Sequence, residues 1–269
     1  MENRFKNFAI VHNPTKPDTL KVAEKLRGIL EKLGAKAKVY KTAPNNFKGH
    51  DAAAAIGGDG TLLGCVAAAL TSQIPLVGVN MGKLGYLASV DKNHLEASFK
   101  KVLKGEYIPT PRMVLKTTFP DGQIYYSLND LVIKSAEYRL AELKVSADGE
   151  RVTEYEGDGL IFSTPTGSTA YNLSAGGPIL QIKTESIVVT PICAHTLTNR
   201  SVVFNSRSRL RVELGHTLCA VHINVDGRAV AESRSCLPLT VRQATRKLVT
   251  LEDPRRGSFE TLRAKLGWR

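Results

Sequence analysis

The sequence predicts an α/β domain followed by an all-β sandwich, and three observations predict it. Strand-like and helix-like segments alternate over the first hundred residues, which is typical of a parallel sheet flanked by helices. Beyond Pro111 the chain changes to short β-branched runs between turn signals, as in a sandwich. The stretch 258–268 returns to helical spacing. We therefore expect an α/β domain at 1–107, a sandwich at 108–252, and a helical segment at 253–269 that packs on the first domain or on a partner subunit.

In the first domain, an apolar strand at 8–12 precedes a helix whose apolar residues recur between Leu20 and Leu33. Gly34 follows this helix as a typical stop residue. Segments of the same two kinds continue the alternation. Further strands are expected at 38–40, 52–56 and 76–79, and further helices at 61–70 and 93–103.

In the second domain, aspartate–glycine pairs mark the turns of three hairpins, because both residue types tolerate the backbone angles of tight turns. The pairs are Asp121-Gly122, Asp148-Gly149 and Asp226-Gly227. Strands are expected at 187–192, 201–204, 210–214 and 220–225.

The composition predicts a protein that folds without disulfide bonds. Of 269 residues, 42% are hydrophobic, which is enough to fill a core. The cysteines lack the close Cys/His pairs of a zinc or redox site, and we expect reduced core thiols in a cytoplasmic protein. They are Cys65, Cys193, Cys219 and Cys236. No stretch reaches the ~18 uninterrupted apolar residues of a membrane helix, so neither export nor membrane insertion is expected.

The net charge of +12 suggests an anionic partner without identifying it. Solvated surface charge, nucleic acid, an anionic membrane and small polyanionic ligands all fit this value. The basic residues are dispersed, with short pairs such as Lys100-Lys101 and Arg255-Arg256, whereas a duplex-binding face needs a long stripe. We expect no nucleic-acid partner, which leaves solvated faces or small anionic ligands.

The most informative segment is the turn Gly57-Gly58-Asp59-Gly60-Thr61, which joins an apolar strand to a helix. Its glycines and the first N–H groups of the helix would let a phosphate approach the main chain. Asp59 would repel that phosphate, so its carboxylate suggests work on a proton or a metal ion. A simple helix cap at Asp59 explains the same residues equally well. Leu63 replaces the third glycine of the dinucleotide motif, and 78–84 is one residue short of a P-loop.

A second cluster, 157–178, combines glycines with serine and threonine hydroxyls around the aromatic ring of Tyr171. Such a segment can wrap a polar ligand, although an ordinary loop between strands has a similar composition. Asp158 near the start of the cluster favours the interpretation that the segment binds a ligand.

Five motifs, taken in order, resemble those of the NAD kinase family. They are Gly57-Gly58-Asp59-Gly60-Thr61, Asn80-Met81-Gly82-Lys83-Leu84-Gly85-Tyr86-Leu87, Leu128-Asn129-Asp130, the run from Asp158-Gly159-Leu160-Ile161 through Thr164-Pro165-Thr166-Gly167-Ser168-Thr169-Ala170-Tyr171, and His195-Thr196-Leu197. Lipid kinases and phosphofructokinase-like enzymes share the first motif, whereas the stretch 164–171 singles out NAD kinases.

The resemblance implies a Rossmann-like α/β domain of the phosphofructokinase and diacylglycerol kinase type, a C-terminal β-sandwich, and a homo-oligomer, either dimer or tetramer. It implies transfer of the γ-phosphate of ATP, or of phosphate from polyphosphate, to the 2′-hydroxyl of the adenosine ribose of NAD. The product is NADP, and the reaction uses a divalent metal ion, Mg²⁺ or Mn²⁺, with ATP. By the same resemblance, Asp59 would be the general base.

The resemblance also implies which residues contact the substrates. Around Asp59 they are Gly57, Gly58, Gly60 and Thr61. Asn129 and Asp130 would contact the adenine or ribose of NAD, and Asp158 its nicotinamide end. The rest of the dinucleotide would lie against Thr169, Ala170, Tyr171, Asn172, Leu173 and Ser174, where the Tyr171 ring offers a stacking face. Asp226 and Arg228 fall near a position that the family uses at its site.

Two departures from the family pattern concern binding. Asp130 stands where the family has glutamate, which shortens the reach of the carboxylate by one methylene. Gly64 stands where a basic residue often follows the turn, so a phosphate contact is either missing or made by another residue.

His195 and Lys83 are not assigned to catalysis. A buried, hydrogen-bonded histidine that organises its loop explains His195, and an exposed loop lysine explains Lys83. Two other functions share some of these features: a lipid or sugar kinase with the same turn, and a dinucleotide sensor or nucleic-acid-binding protein without activity.

Overall fold

A computed structural model describes residues 3–82, 85–137, 139–196, 198–216, 219–255 and 257–268. The chain forms two compact units, one made of Met1–Pro111 with Leu248–Arg269 and the other of Arg112–Lys247. Within the described ranges, no helix has the length and apolar content needed to cross a bilayer.

The helices and strands are numbered in chain order. The helices are α1 (Thr19–Lys32), α2 (Asp59–Ser72), α3 (Leu95–Leu103), α4 (Tyr171–Ser174) and α5 (Ser258–Leu266). The strands are β1 (Asn7–His12), β2 (Lys36–Tyr40), β3 (Ala52–Ile56), β4 (Leu76–Asn80), β5 (Ala88–Asp91), β6 (Ile108–Arg112), β7 (Leu115–Thr118), β8 (Ile124–Ser127), β9 (Asp130–Ser135), β10 (Ala141–Ala147), β11 (Glu150–Gly157), β12 (Gly159–Ser163), β13 (Ser186–Ile192), β14 (Val202–Asn205), β15 (Leu210–Leu214), β16 (Val221–Val225), β17 (Arg228–Glu232), β18 (Leu239–Gln243) and β19 (Leu248–Glu252).

The first unit contains one sheet in the order β2-β1-β3-β4-β19-β6, with β5 paired to β4. The pairs β1/β2, β1/β3, β3/β4, β4/β5 and β4/β19 are parallel. Strands β3 and β4 are buried along their whole length, as expected for strands covered on both faces. Because parallel strands end at the same edge of a sheet, the segments after β1 and β3 lie side by side, and His12 pairs with Ile56.

Three features of this unit differ from the sequence prediction. Strand β6 contains Pro109 and Pro111 but lies at the edge of the sheet, where a missing N–H is tolerated. Strand β19 was expected in the sandwich, but it joins the first sheet because its Leu251 packs into the core of that unit. The apolar stripe of α5 is incompletely buried, since Phe259 is 56% exposed.

The second unit consists of two antiparallel sheets, in the orders β11-β10-β15-β18-β7-β8 and β14-β13-β12-β9-β16-β17. Side chains from both sheets, such as Leu143 and Phe162, form one buried cluster. The predicted sandwich is therefore confirmed. The hairpin turns also lie where they were expected, with Asp148 and Asp226 in the left-handed region at φ of 54° and 49°.

The cysteine prediction is half right. Cys65 and Cys219 are buried thiols. Cys193 is exposed and Cys236 is partly buried, so the expectation of core thiols is wrong for these two residues.

Candidate functional site

The glycine turn at the end of β3 has a backbone that only glycine accommodates easily. Gly57 and Gly58 have φ angles of +145° and +108°, which side chains rarely adopt. A Cβ atom on Gly57 would also overlap the hydroxyl of Thr61. The Gly57 N–H donates to the carbonyl of Val79 at 3.1 Å, which ties the turn to β4. The turn therefore presents bare main chain at the start of α2.

The carboxylate of Asp59 is fixed by three backbone N–H groups from the segment 86–88. Its Oδ2 accepts from Tyr86 at 2.8 Å, and its Oδ1 accepts from Leu87 at 3.1 Å and Ala88 at 3.0 Å. A Cβ atom on Gly85 would overlap this carboxylate. The side chain is thus committed to a neighbouring segment, which argues against a simple cap of α2. A carboxylate offers about four acceptor positions, and these bonds occupy three of them.

Two other members of the turn are placed less tightly. Gly60 is exposed, and a Cβ atom there would meet nothing within 4 Å. The hydroxyl oxygen of Thr61 is buried without a hydrogen-bond partner among the described residues. Next to them, burial and the charge of Asp59 raise the pKa of the Tyr86 hydroxyl.

Lys16 is a residue of this turn that sequence reasoning missed. Its Nζ donates to the carbonyl of Gly57 at 2.5 Å. No motif contains Lys16, but its position offered a signal. It follows β1, and the ends of neighbouring parallel strands are where α/β sheets bind ligands.

In the second unit, Asp226 holds the segment that carries Asn129 and Asp130. The Oδ2 of Asp226 accepts from the N–H of Leu128 at 2.9 Å, and its Oδ1 accepts from Asn129 at 2.7 Å and Asp130 at 3.2 Å. The N–H of Asp226 donates in turn to the carbonyl of Asp130 at 3.0 Å. These bonds lock the Asp226-Gly227 turn onto the start of β9.

The two aspartates form a buried acidic pair, because Asp130 is 4% and Asp226 is 9% exposed. Burial and the charge of Asp226 raise the pKa of Asp130 to about 7. Burial raises the pKa of Asp226 to about 6, against the lowering effect of its backbone hydrogen bonds and of Arg228. At neutral pH the Asp130 carboxyl can therefore donate or accept a hydrogen bond.

The loop after β12 rests on the same segment. The Thr164 N–H donates to the carbonyl of Asn129 at 2.9 Å, and the Thr164 hydroxyl donates to that of Leu128 at 2.5 Å. A Cβ atom on Gly167 would overlap the carbonyl of Asn129. The buried guanidinium of Arg112, also missed from the sequence, donates to the hydroxyl of Thr166 at 3.2 Å.

Asn172 stabilises this loop from inside. Its side chain is fully buried, and its Nδ2 donates to the carbonyls of Ser168 at 3.1 Å and Pro178 at 3.0 Å. Its Oδ1 accepts from Thr190 at 2.7 Å. Both amide protons are therefore used within the protein, and the expected contact of Asn172 with a ligand stays a prediction.

The remaining expected contact residues of the second unit are more open. Tyr171 is 37% exposed. Asp158, Ser174 and Arg228 are exposed, and Thr169, Ala170 and Leu173 are partly buried. These residues can reach a ligand without rearrangement of the core.

His195 is exposed, so the expectation of a buried histidine is wrong. Its side chain is 65% exposed, with Nδ1 3.7 Å from a carboxylate oxygen of Glu156. Its backbone N–H donates to the carbonyl of Glu156 at 2.8 Å, which leaves loop organisation to the main chain. Lys83, Leu84 and Leu197, which belong to the motifs, lie outside the described residues. Within the described part of the chain, no three His, Cys, Asp or Glu side chains are grouped as metal ligands.

Comparison with known proteins agrees with both units. Sequence models of the ATP-NAD kinase N-terminal and C-terminal domains match residues 38–107 and 128–252. The NAD kinase of Syntrophotalea carbinolica is 34% identical over 282 residues, which cover 98% of this chain and 99% of that protein.

Two solved structures have a similar fold. Yeast NADH kinase complexed with NADH matches with a TM-score of 0.86 and 23% identity, over 99% of this chain and 89% of that chain. An Archaeoglobus fulgidus NAD kinase in complex with ATP matches with a TM-score of 0.81 and 20% identity, over 98% of this chain and 99% of that one. At these identities the likeness shows the fold alone.

Proposed function

The chain belongs to the NAD kinase family, whose members are phosphotransferases, and we propose that Asp59 is the general base with which it converts NAD to NADP. The observation that carries this proposal is the Asp59 carboxylate, held by three N–H groups beside a phosphate-accepting turn. Such a fixed acceptor suits proton transfer, which depends on geometry first.

The reaction transfers the γ-phosphoryl group of ATP to the 2′-hydroxyl of the adenosine ribose. The hydroxyl oxygen attacks phosphorus, the bond to the β-phosphate oxygen breaks, and ADP leaves. Asp59 takes the proton of the hydroxyl, and its Oδ2, which accepts one N–H among the described residues, has an acceptor position for it. The main chain of 57–61 and the positive end of α2 oppose the charge of the phosphates.

The second unit supplies the contacts to NAD in this proposal. Asn129 and Asp130 contact the adenosine, Asp158 the nicotinamide end, and 169–174 the rest of the dinucleotide. The exposure of Asp158 and Tyr171 supports direct contact. The buried Asn172 and Asp226 support a positioning role for those two residues instead. The exposed Arg228 is suited to a phosphate of the dinucleotide.

Several finer features are proposed on family membership. The divalent ion, Mg²⁺ or Mn²⁺, enters as part of the ATP complex, because hard cations bind phosphate oxygens. Polyphosphate is the alternative donor. The chain assembles as a homo-oligomer, a dimer or a tetramer, in the cytoplasm. Sedimentation measurements test the assembly, and a donor panel tests polyphosphate.

The central test is the formation of NADP from NAD and ATP by the purified protein, with Asp59→Asn beside it. We expect Asp59→Asn to lower kcat by about 100- to 10,000-fold, the range of general-base contributions. We expect the affinity for NAD to stay within about twofold of the parent, since the base acts on the transition state. Glu31→Gln, the same chemical change at an exposed position of α1, is the control and should behave like the parent.

The Asp59→Asn variant needs one further measurement. An amide there places a donor against one of the N–H groups of 86–88, so its melting temperature must be compared with that of the parent. A folded Asp59→Asn variant that turns over near the parent rate would contradict the role of Asp59. Absence of NADP formation by the parent with ATP, polyphosphate, NAD and NADH would contradict the function itself.

A further inference from the structure

The loop after β1 is held in one shape by its own hydrogen bonds. The hydroxyl of Thr19, a residue that is 1% exposed, donates to the carbonyl of Asn13 at 2.6 Å, and its oxygen lies 3.0 Å from the carbonyl oxygen of Lys16. The N–H of Asn13 donates to the carbonyl of Ile56 at 3.1 Å, which ties the loop to β3. The backbone that carries Lys16 is therefore ordered before any ligand arrives.

His12 extends this support into the core. Its Nδ1 lies 3.3 Å from the Thr19 hydroxyl oxygen, and that hydroxyl already donates to a carbonyl. The histidine must therefore donate from Nδ1, which leaves its buried Nε2 without a hydrogen-bond partner among the described residues. The imidazole thus supports the loop from the core side.

The ammonium of Lys16 lies over the glycine turn. It donates to the carbonyl of Gly57 at 2.5 Å and lies 3.7 Å from the point that a Cβ atom of Gly58 would occupy. An ammonium has three donors, and this bond uses one. The other two remain for a ligand that approaches the bare backbone of the turn.

The charge of Lys16 is not neutralised by a carboxylate among the described residues. The nearest acidic residue along the chain, Asp18, pairs with Lys21 at 3.0 Å. Although Lys16 is exposed, its side chain extends onto the carbonyl of Gly57 beside the positive end of α2. The ammonium and the positive end of the helix repel each other, and an anion that binds between them offsets this repulsion.

From this geometry we infer that Lys16 is a phosphate ligand that binds the triphosphate of ATP at the turn 57–61. The inference rests on the proposed function, and it supplies a basic group at a turn where position 64 is glycine. Lys16 acts as a point charge on the phosphate oxygens of the donor, and it neither gives nor takes the proton of the reaction.

The test uses the full-length protein with Lys16→Met, Lys16→Arg and, as a matched control, Lys25→Met at an exposed position of α1. We expect Lys16→Met to raise the KM for ATP about 10- to 100-fold, as for the loss of one charge-assisted hydrogen bond. The KM for NAD should stay within about twofold. Lys16→Arg should recover most of the affinity for ATP, and Lys25→Met should match the parent.

A second measurement separates Lys16 from the overall activity. Inorganic tripolyphosphate is titrated into each protein by calorimetry, which needs no turnover. Lys16→Met should bind it at least about tenfold more weakly than the parent, with an unchanged melting temperature. The inference is overturned if Lys16→Met keeps both the KM for ATP and the tripolyphosphate affinity within twofold, or if Lys25→Met loses as much. A parent without kinase activity contradicts the proposed function, while the titration still decides the role of Lys16.

Discussion

At the scale of single residues, the second unit is organised by an acidic pair that most cores exclude. The carboxylate of Asp226 accepts hydrogen bonds from the N–H groups of 128–130. Asp130 is also almost completely buried. Burying charge this deeply costs free energy unless the group is protonated or well bonded. The raised pKa values of both groups show that this cost is only partly offset by the hydrogen bonds.

The pair predicts how stability depends on pH. Both pKa values are raised in the folded state, to about 7 for Asp130 and about 6 for Asp226, from an ordinary value of 3.8. The unfolded chain therefore releases these protons at lower pH than the folded protein does. The stabilising contribution is complete below about pH 4 and is lost as the pH rises towards 7.

Replacement of Asp130 by Asn should remove much of this dependence. Relative to the variant, the parent should lose on the order of 4 kcal/mol of unfolding free energy between pH 4 and pH 7.5, at about 1.4 kcal/mol per pKa unit. Urea denaturation at several pH values measures the difference. A difference between parent and Asp130→Asn that stays constant with pH would show that Asp130 titrates normally.

At the scale of elements, the important contact is between α2 and the segment that leads into β5. Asp59 begins the helix, and the N–H groups of 86–88 bind its carboxylate, so the two segments are fitted to each other. Gly85 is needed at this contact for space, because a Cβ atom at this position would overlap the Asp59 carboxylate. Backbone freedom is not the reason, since the φ angle of Gly85 is not in the left-handed region.

Two glycine substitutions should distinguish the effect of this contact on catalysis from the effect of helix propensity on stability. Gly85→Ala should lower kcat about 100-fold, since a shift of roughly 1 Å at a catalytic group has that effect. Gly64→Ala in the middle of α2 meets nothing within 4 Å and should stabilise the protein by about 0.5–1 kcal/mol with little change in kcat. Steady-state kinetics and thermal melting of both variants check this. Parent-like kinetics in Gly85→Ala would mean that the carboxylate position is not critical.

The elements also show what the sequence can and cannot predict. Strand β3 and helix α2 were predictable because an apolar run and a glycine turn are local signals. Strand β19 was assigned to the other unit because its partner β4, joined at Thr250 and Leu76, is remote in sequence. The turn of Asp59 was found from its glycines, but Lys16 was not, since its contact with Gly57 crosses between two strands. Composition likewise could not show that Asn172 faces inward, because that depends on Thr190 in β13.

At the scale of the whole molecule, the two units differ in how they use the chain. The second unit is continuous over Arg112–Lys247, whereas the first is completed by the last residues, Leu248–Arg269. Strand β19 pairs with β4 inside the first sheet rather than at its edge. The first unit therefore has a gap in its sheet until that strand is present.

This division predicts different behaviour for the two isolated pieces. Residues 112–247 alone should fold into the sandwich, because both of its sheets and their shared core lie within that range. Residues 1–111 alone should be unfolded or aggregated, since the start of β4 at Leu76 and the strand β6 then lose their neighbour β19, and the core loses Leu251. Circular dichroism and urea melts of the two fragments measure this. A cooperative transition in 1–111 would show that β19 is dispensable.

The charge of the molecule predicts a salt effect. At +12 the protein attracts ATP and NAD over distances that added salt screens, about 10 Å at 0.1 M. We expect kcat/KM for ATP to fall as potassium chloride rises from 0.02 to about 0.5 M. An unchanged value would mean that the positive charges are too scattered to steer the substrate.

The late position of β19 also sets the sequence of events on the ribosome. The strand is synthesised after residues 112–247, so a nascent chain carries an unfinished first sheet until the whole sandwich has been made. The sandwich, encoded second, has its complete set of strands earlier. Synthesis of this protein thus reverses the usual vectorial order in which the N-terminal domain folds first, because the sandwich has all its strands before the sheet that carries the turn 57–61 does.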